Sequence, residues 1–249
     1  MIVQAFKIKC LTNMHVGNGD ANFNIIDNEV ERDPVTKCPT INSSGVKGAL
    51  REFFEVQKDS DKTKITEIFG HEKGESAGRI KILSANMIAV PMRASKGDKP
   101  FYMVTTKLAI DTYNELARKL LGDGGTIIDI SPSGETTEVE GIKCDMTTGF
   151  SKLGIDKAAV MGDEDFIDVG LPVVARNKLE NGKSANLWYE EIVPHESVFV
   201  FFAIANDADK ELLREFAGKI TASVIQFGGN ATVGYGLCEV TLIGGSSNE

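Results

Sequence analysis

The chain has 249 residues, 42% hydrophobic and 25% charged, enough to bury a real core as one large domain or two small ones. No apolar run approaches the ~20 residues that cross a bilayer. A net charge of −9 counts against a free-standing nucleic-acid binder, whose domain is usually basic. Cys10, Cys38, Cys144 and Cys238 form no Cys-x-x-Cys pair, and His15, His71 and His195 are the only histidines. That spacing disfavours a structural zinc site or a disulfide framework and predicts reduced, mostly buried thiols. The opening MIVQAFKIKC lacks a signal peptide's basic start and cleavage site, so a cytoplasmic protein without a membrane partner is expected.

Residues 2–11 alternate Phe6, Ile8 and Cys10 against Lys7 and Lys9, which predicts a first strand. Positions 12–44 carry Gly17, Gly19, Pro34 and Pro39 and no sustained period. Loops of that length are uncommon in compact domains and tend to be functional. Ile25, Ile26 and Val30 predict that this one packs. Val46, Ala49, Leu50, Phe53 and Phe54 then fall at i, i+3, i+4, i+7 and i+8, an amphipathic helix, with Ser43 and Ser44 as its expected caps.

A short helix is predicted over Thr63–Phe69, stopped by Gly70, and a strand region over Arg79–Met92, broken by Pro91. A long helix follows over Lys107–Leu121, with Ala109, Tyr113, Leu116, Ala117 and Leu120 on one face. Within 126–187, strand-like pieces at Thr126–Ile130 and Leu171–Ala175 alternate with polar loops, which predicts a hairpin-rich insertion. The run Gly162-Asp163-Glu164-Asp165 reads as a solvated acidic loop. Val198–Ala205 is an almost unbroken apolar strand, hence buried on both faces. A helix over Asp209–Val224 carries Leu212, Leu213, Phe216, Ile220 and Val224. The glycine loop FGGNATVGYG and a last strand, Leu237–Ile243, end the pattern. This order suits an α+β sandwich of the ferredoxin-like type, an antiparallel sheet with helices on one face, in a single domain.

Three groups of residues can carry chemistry. Lys47 and Arg51, four apart, share a helix face off the apolar stripe. They stand at a helix N-terminus, whose unpaired N–H groups and partial positive charge suit a phosphate, and Gly48 lets another backbone approach. The same pair also fits an ordinary solvated face. A Walker loop needs a glycine five residues before Gly-Lys-Ser/Thr; Lys47 follows Val46, so a nucleoside-triphosphate site is disfavoured. His15 and Asp27 lie in the long loop. Beside an RNA backbone, the carboxylate can orient or deprotonate a 2′-hydroxyl or hold a divalent metal. The histidine can position a phosphate or act as an acid. A lone loop aspartate also serves as a turn former or cap. Gly228, Gly229, Gly234 and Gly236 either offer N–H groups to phosphates or form a tight turn into the last strand.

Taken together, these segments resemble the RAMP superfamily of CRISPR-associated RNA-binding proteins. HVGNGD (His15–Asp20), Asp27, VERDPVTKCPTI and SSGVKGALR (Ser43–Arg51) resemble its N-terminal block. That block has a His-x-Gly-x-Gly opening, an Asp followed by an Arg-containing stretch, a proline, and a Gly-Ser-Ser-Leu-Lys-Gly-x-Leu-Arg helix start. Ile68-Phe69-Gly70 resembles the Phe-Gly element that follows, and FGGNATVGYG the C-terminal glycine-rich loop. LWYEEIVP (Leu187–Pro194) resembles an element of the RNA-cleaving backbone subunits of type III-B (Cmr) effector complexes. The chain departs at two positions: the family glycine before the double hydroxyl is Ser43, and the hydroxyl residue before the apolar one is Gly45.

The resemblance implies a ferredoxin-like (RRM-like) palm over 1–125 and 187–249, with a hairpin-rich thumb inserted at about 126–186. It implies a subunit that stacks with copies of itself and other Cmr-type subunits along a CRISPR guide RNA. Such a subunit cuts guide-paired target RNA, leaving a 2′,3′-cyclic phosphate and a 5′-hydroxyl, while base pairing reads the sequence. Residue by residue, it implies Asp27 at the scissile 2′-hydroxyl with a divalent metal, Mg2+ or Mn2+, for which Asp27 is the candidate ligand. His15 falls on an active-site histidine, and Glu190 and Glu191 on an acidic element near the cut. Gly17, Asn18, Gly19, Arg32, Ser43, Ser44, Gly45, Lys47, Arg51, Gly228, Gly229, Gly234 and Gly236 fall on RNA contacts, Lys47 and Arg51 on the guide. Three further readings stay open: a purely structural RNA-binding subunit, the equivalent subunit of a type III-A complex, and an acidic ferredoxin-like domain with a small-molecule pocket.

Overall fold

The computed structural model describes residues 1–19, 25–71, 74–122 and 125–244; Asp20 of the HVGNGD segment lies outside them. In chain order the elements are β1 (Ile2–Cys10), β2 (Thr40–Ile41), α1 (Ser43–Glu55), α2 (Lys62–Phe69), β3 (Lys81–Ile82), β4 (Ala85–Lys96), β5 (Phe101–Thr106), α3 (Lys107–Leu121), β6 (Ser131–Val139), β7 (Ile142–Thr148), β8 (Ala158–Met161), α4 (Asp163–Val169), β9 (Val173–Glu180), β10 (Lys183–Glu191), β11 (Val198–Ala205), α5 (Lys210–Thr221), β12 (Val224–Gln226) and β13 (Leu237–Ile243). Eleven strands form one mixed sheet in the order β12-β13-β1-β11-β4-β5-β8-β7-β6, with β2 on β4 and β3 on β11. β5 and β8 run parallel. β6 pairs back onto β4 through Ala94 and Val139, so β4, β5, β8, β7 and β6 close into a ring. β9 and β10 form a separate two-stranded hairpin.

All eight residues of β11 are buried, and this sets the layering. Phe199, Phe201 and Ala203 join Phe6 and Ile8 of β1 in one core, covered by α1, α2 and α5. Phe216 of α5 lies there, 6.1 Å from the Phe6 ring and 6.0 Å from that of Phe54. Val198, Val200 and Phe202 face the opposite side, where Ile110, Tyr113 and Ala117 of α3 make a second core. Helices therefore cover both faces, not the one face predicted, because a strand apolar at every position needs cover on both sides.

Four other predictions differ in the structure. Pro91 does not break β4. It pairs with Met103 inside the strand, and the N–H it lacks would point away from β5. That direction falls between the β11 pairing at Ala89 and the β6 pairing at Ala94, so no ladder bond is lost. The segment 126–130 is not a strand: α3 side chains satisfy its backbone. Tyr113 donates its hydroxyl proton to Thr126 O at 2.6 Å. The Asn114 amide donates to Ile128 O at 2.8 Å and accepts from Ile128 N–H at 2.7 Å. Val224, read as the end of a helix, begins β12, since α5 stops at Thr221. Residues 131–161, inside the stretch read as an insertion, supply β6, β7 and β8 of the main sheet. All four cysteines are unpaired; Cys10, Cys144 and Cys238 are buried. Among the described residues no helix is long and apolar enough to cross a membrane.

Burial pushes the Tyr113 phenol up to about 12. As pH rises past the ordinary phenol value of about 10, the unfolded chain loses this proton before the folded one. The contribution to stability is therefore full below about pH 10 and is lost between about pH 10 and 12. Tyr113→Phe is expected to flatten that alkaline loss, at a neutral-pH cost of about 1 kcal/mol for the missing hydrogen bond. Urea melts of both proteins at about pH 8 and pH 11 compare the two effects.

Candidate active site and anion-binding helix

The long loop after β1 has no helical or strand period, yet its backbone is satisfied by short ladders. Isolated bridges join Met14 to Val193, Gly17 to Val30, Asn28 to Glu190 and Arg32 to Pro39. Met14 and Val193 exchange two 2.8 Å bonds, and Glu31 N–H donates to Val16 O at 2.8 Å. Asn18 N–H donates to Glu29 O at 3.3 Å. Met14 and Val30 are buried, whereas Ile25, predicted to pack, is 89% exposed. The ladder and those two side chains already fix the segment, which leaves Ile25 at an exposed bend.

Asp27 is exposed and clasps Tyr189. Its N–H donates to Tyr189 O at 3.1 Å, and Tyr189 N–H donates back to Asp27 Oδ2 at 2.8 Å. Asn28 is held next to it: Asn28 N–H donates to Tyr189 O at 3.2 Å, and Glu191 N–H donates to Asn28 O at 2.9 Å. His15 Nδ1 lies 2.8 Å from Glu191 O. A carbonyl only accepts, so Nδ1 carries the proton and Nε2 is the open ring nitrogen. A Cβ at Gly17 would stand 2.9 Å from Nε2. The structure thus gathers His15, Asp27, Glu190 and Glu191 along the end of β10.

The two glutamates are not free acids. Glu190 and Glu191 are 4% and 3% exposed, and a buried carboxylate needs close partners. Adjacent residues on a strand face opposite ways, and each finds its own cation. Glu191 accepts from Val30 N–H at 3.0 Å and from Arg32 Nη1 at 2.7 Å on Oε2, and from Arg32 Nη2 on Oε1. These bonds hold the Arg32 guanidinium above its ordinary pKa. Glu190 accepts from Arg176 Nη1 at 2.8 Å and from Asn230 Nδ2 at 3.1 Å on both oxygens. Arg176 lies 5.9 Å from the Trp188 ring and 5.4 Å from the Tyr235 ring. Arg176 and Asn230 escaped the sequence reasoning. The available signal was the Glu190–Glu191 pair running into an apolar Ile192–Val193, which demands two nearby cations or donors.

The glycine loop frames this cluster from the other side. Gly229 N–H donates to His15 O at 2.9 Å, Gly236 N–H to Asn13 O at 2.7 Å, and Gly234 N–H to Ala231 O at 2.9 Å. These three N–H groups are therefore spent within the protein, which corrects the expectation that they face phosphate. Gly228 has φ +74, and a Cβ there would stand 2.3 Å from His15 O. A side chain at Gly228 would drive the loop off the histidine backbone.

α1 begins at Ser43, so Ser43 and Ser44 sit in its first turn and do not cap it; Asn42 precedes them and makes no side-chain cap bond. Ser84 Oγ accepts from Ser43 N–H at 3.2 Å and lies 3.1 Å from Ser43 Oγ. Ser44, Gly45 and Lys47 are exposed, and no acidic residue occupies the first turn. The Lys47 side chain makes no hydrogen bond or ion pair among the described residues. Arg51 is engaged: Nε donates to Glu55 at 2.7 Å and Nη1 to Gly70 O at 2.9 Å, bracing α1 against the end of α2. Among the described residues, nothing outside its own helix backbone and chain neighbours lies within 4 Å of a Cβ placed on Gly48. No hydrogen bond or ion pair joins this helix start to the Asp27 cluster among the described residues.

Among the described residues no three His, Cys, Asp or Glu side chains converge. Glu190 and Glu191 already neutralise arginines, which leaves Asp27 as a single carboxylate.

Comparison with known proteins places this geometry in a family. A protein named CRISPR system Cmr endoribonuclease Cmr4, from Pyrococcus furiosus, is 27% identical over 276 aligned positions, covering 93% of this chain and 92% of its own. The crystal structure of oligomeric Cmr4 from Pyrococcus furiosus superposes with a TM-score of 0.73 at 23% identity, covering 96% of this chain and 97% of that one. A chain from the cryo-EM structure of the type III-B Cmr-beta complex bound to cognate target RNA gives 0.73 at 19% identity, covering 97% of both. The sequence pattern of the RAMP superfamily matches residues 7–239, and the chain belongs to that superfamily.

Proposed function

We propose that this chain is a guide-RNA-binding filament subunit of a type III-B CRISPR effector complex, and that it cuts guide-paired target RNA in antiviral defence. The observation that carries this is the placement of Asp27 and His15 on one strand end, in a chain similar over most of its length to a named Cmr endoribonuclease. The strand order β13-β1-β11-β4, with α1 after β1 and α5 after β11, supports a ferredoxin-like palm. The β9–β10 hairpin supports a thumb.

In this reading Asp27 Oδ1, which makes no hydrogen bond among the described residues, takes the proton of a target 2′-hydroxyl. The 2′-oxygen attacks the adjacent phosphorus, and the P–O5′ bond breaks. His15, protonated on both ring nitrogens for this step, delivers its Nε2 proton to the departing 5′-oxygen and is left as the Nδ1–H tautomer that Glu191 O selects, and the products are a 2′,3′-cyclic phosphate and a 5′-hydroxyl. The first turn of α1, with Lys47, holds a guide phosphate. Gly17, Asn18 and Gly19 border the target strand. Glu190 and Glu191 shape the site from below without touching RNA. Asp27 is the one candidate ligand for a divalent ion, Mg2+ or Mn2+, which would supply charge neutralisation at the phosphate; none of the steps above depends on it.

The test is Asp27→Ala in the assembled complex, with target cutting and target binding measured separately and with chelator and added Mg2+ as further arms. Cutting should be lost with binding retained. Unchanged cutting would sink the catalytic assignment and favour a purely structural subunit.

A further inference from the structure

We infer that Arg32 is a positioning residue of the active site: through Glu191 it holds His15 as the Nδ1–H tautomer, with Nε2 open above Gly17, and it does not bind RNA. This deepens the reading of His15 given above and rests on it for its catalytic consequence, though not for its structural content.

The argument runs outward from the imidazole. His15 Nδ1 faces Glu191 O at 2.8 Å, and that carbonyl fixes which ring nitrogen bears hydrogen. The carbonyl can do this only if Glu191 itself cannot shift. Glu191 is pinned at three points: its N–H on Asn28 O, its Oε2 by Val30 N–H, and both carboxylate oxygens by the two arms of Arg32. Arg32 Nη1 also donates to Val30 O at 3.0 Å. One guanidinium therefore ties together the loop strand that leads from Asp27 and the β10 residue that carries the acceptor for His15.

The same contacts argue against an RNA role. Both terminal nitrogens of Arg32 already donate to groups of this chain, and its carboxylate partner has only 5% of its side chain exposed. Releasing Arg32 to a phosphate would leave a buried, unpaired carboxylate, which costs more than a surface phosphate contact returns. An isolated cation in an Arg-containing stretch looks like an RNA contact in sequence, because Glu191 lies 159 positions away.

The experiment uses Arg32→Gln in the assembled complex and the same variant of the full chain without RNA. Expected are unchanged guide retention, unchanged target affinity and an unchanged salt slope, with a single-turnover cutting rate lower by about 10²-fold. In the RNA-free chain, the 15N imidazole spectrum of His15 should show only the Nδ1–H tautomer in the parent and a mixture in the variant; only two other histidines need assigning. If Arg32→Gln fails to fold, Arg32→Gln with Glu191→Gln removes the stranded charge and is expected to give the same spectrum and rate. Weaker target or guide binding with a shallower salt slope would overturn the inference, as would an unchanged His15 spectrum. The spectrum needs no cutting, so it stands even if Asp27→Ala shows that the chain is not the nuclease.

Discussion

Asp27→Asn should reduce target-RNA cutting by about 10²–10⁴-fold, the usual contribution of a positioned acid or base, while leaving target binding and thermal stability in place. Asparagine keeps an amide oxygen where Asp27 Oδ2 accepts from Tyr189 N–H at 2.8 Å, so the clasp between the loop and β10 survives. What disappears is the charge and the basic lone pair. Asp27→Ala removes both clasp and base, and its loss of activity alone cannot separate them. Single-turnover cutting by the two variants does. A slow Asp27→Asn marks a base, whereas a fully active Asp27→Asn beside an inactive Asp27→Ala marks a clasp. Because Asp27 is exposed, the stability change of Asp27→Asn should stay within about 0.5 kcal/mol.

Arg176→Ala is expected to cost about 3 kcal/mol of folding stability. Its partner Glu190 has 5% of its side chain exposed, and removing one member of such a pair leaves a buried charge with Asn230 as its remaining side-chain partner among the described residues. The substitution also removes the guanidinium between Trp188 and Tyr235. Arg176 stands opposite Trp188 in the hairpin, and a two-stranded hairpin has little stability of its own. Proteolysis between β9 and β10 should therefore accelerate together with the shift in the urea midpoint. Glu190→Leu added to Arg176→Ala should recover most of the loss, since no charge is then stranded. A double variant as unstable as the single one would show that the aromatic stacking, and not the charge, matters.

Elements with an unbroken period and a clear stop were legible in the sequence. α3, β11 and β13 occupy the residues their patterns predict, because apolar spacing continues until Gly122 ends α3, Asn206 ends β11 and Gly244 ends β13. What failed depended on partners distant in the chain. Residues 126–130 look like a strand, but their backbone bonds to Tyr113 and Asn114, which no local pattern encodes. Pro91 reads as a breaker unless the gap between two ladders is known.

The site divides the same way. Residue type and family resemblance single out His15 and Asp27. Their convergence on β10 spans up to 176 positions and leaves no periodic trace. Glu190 and Glu191 read as an acidic element near the cut and Arg32 as an RNA contact, because nothing local in the sequence ties these glutamates to Arg32 and Arg176. The Lys47 turn was visible from the helix it opens. That Arg51 is already committed to Gly70 O required the fold.

The return of β6 onto β4 also bears on how copies of the chain meet. An unpaired sheet edge offers its backbone to any passing strand, and such pairing is prone to register slippage and uncontrolled growth. In the main sheet one end is closed by that return, and the other ends on β12, three residues long. In the proposed filament, contacts through the main sheet would run through side chains, which fix spacing and orientation in a way that strand addition does not. A main sheet with so little open ladder among the described residues offers few backbone groups for aggregation by strand addition.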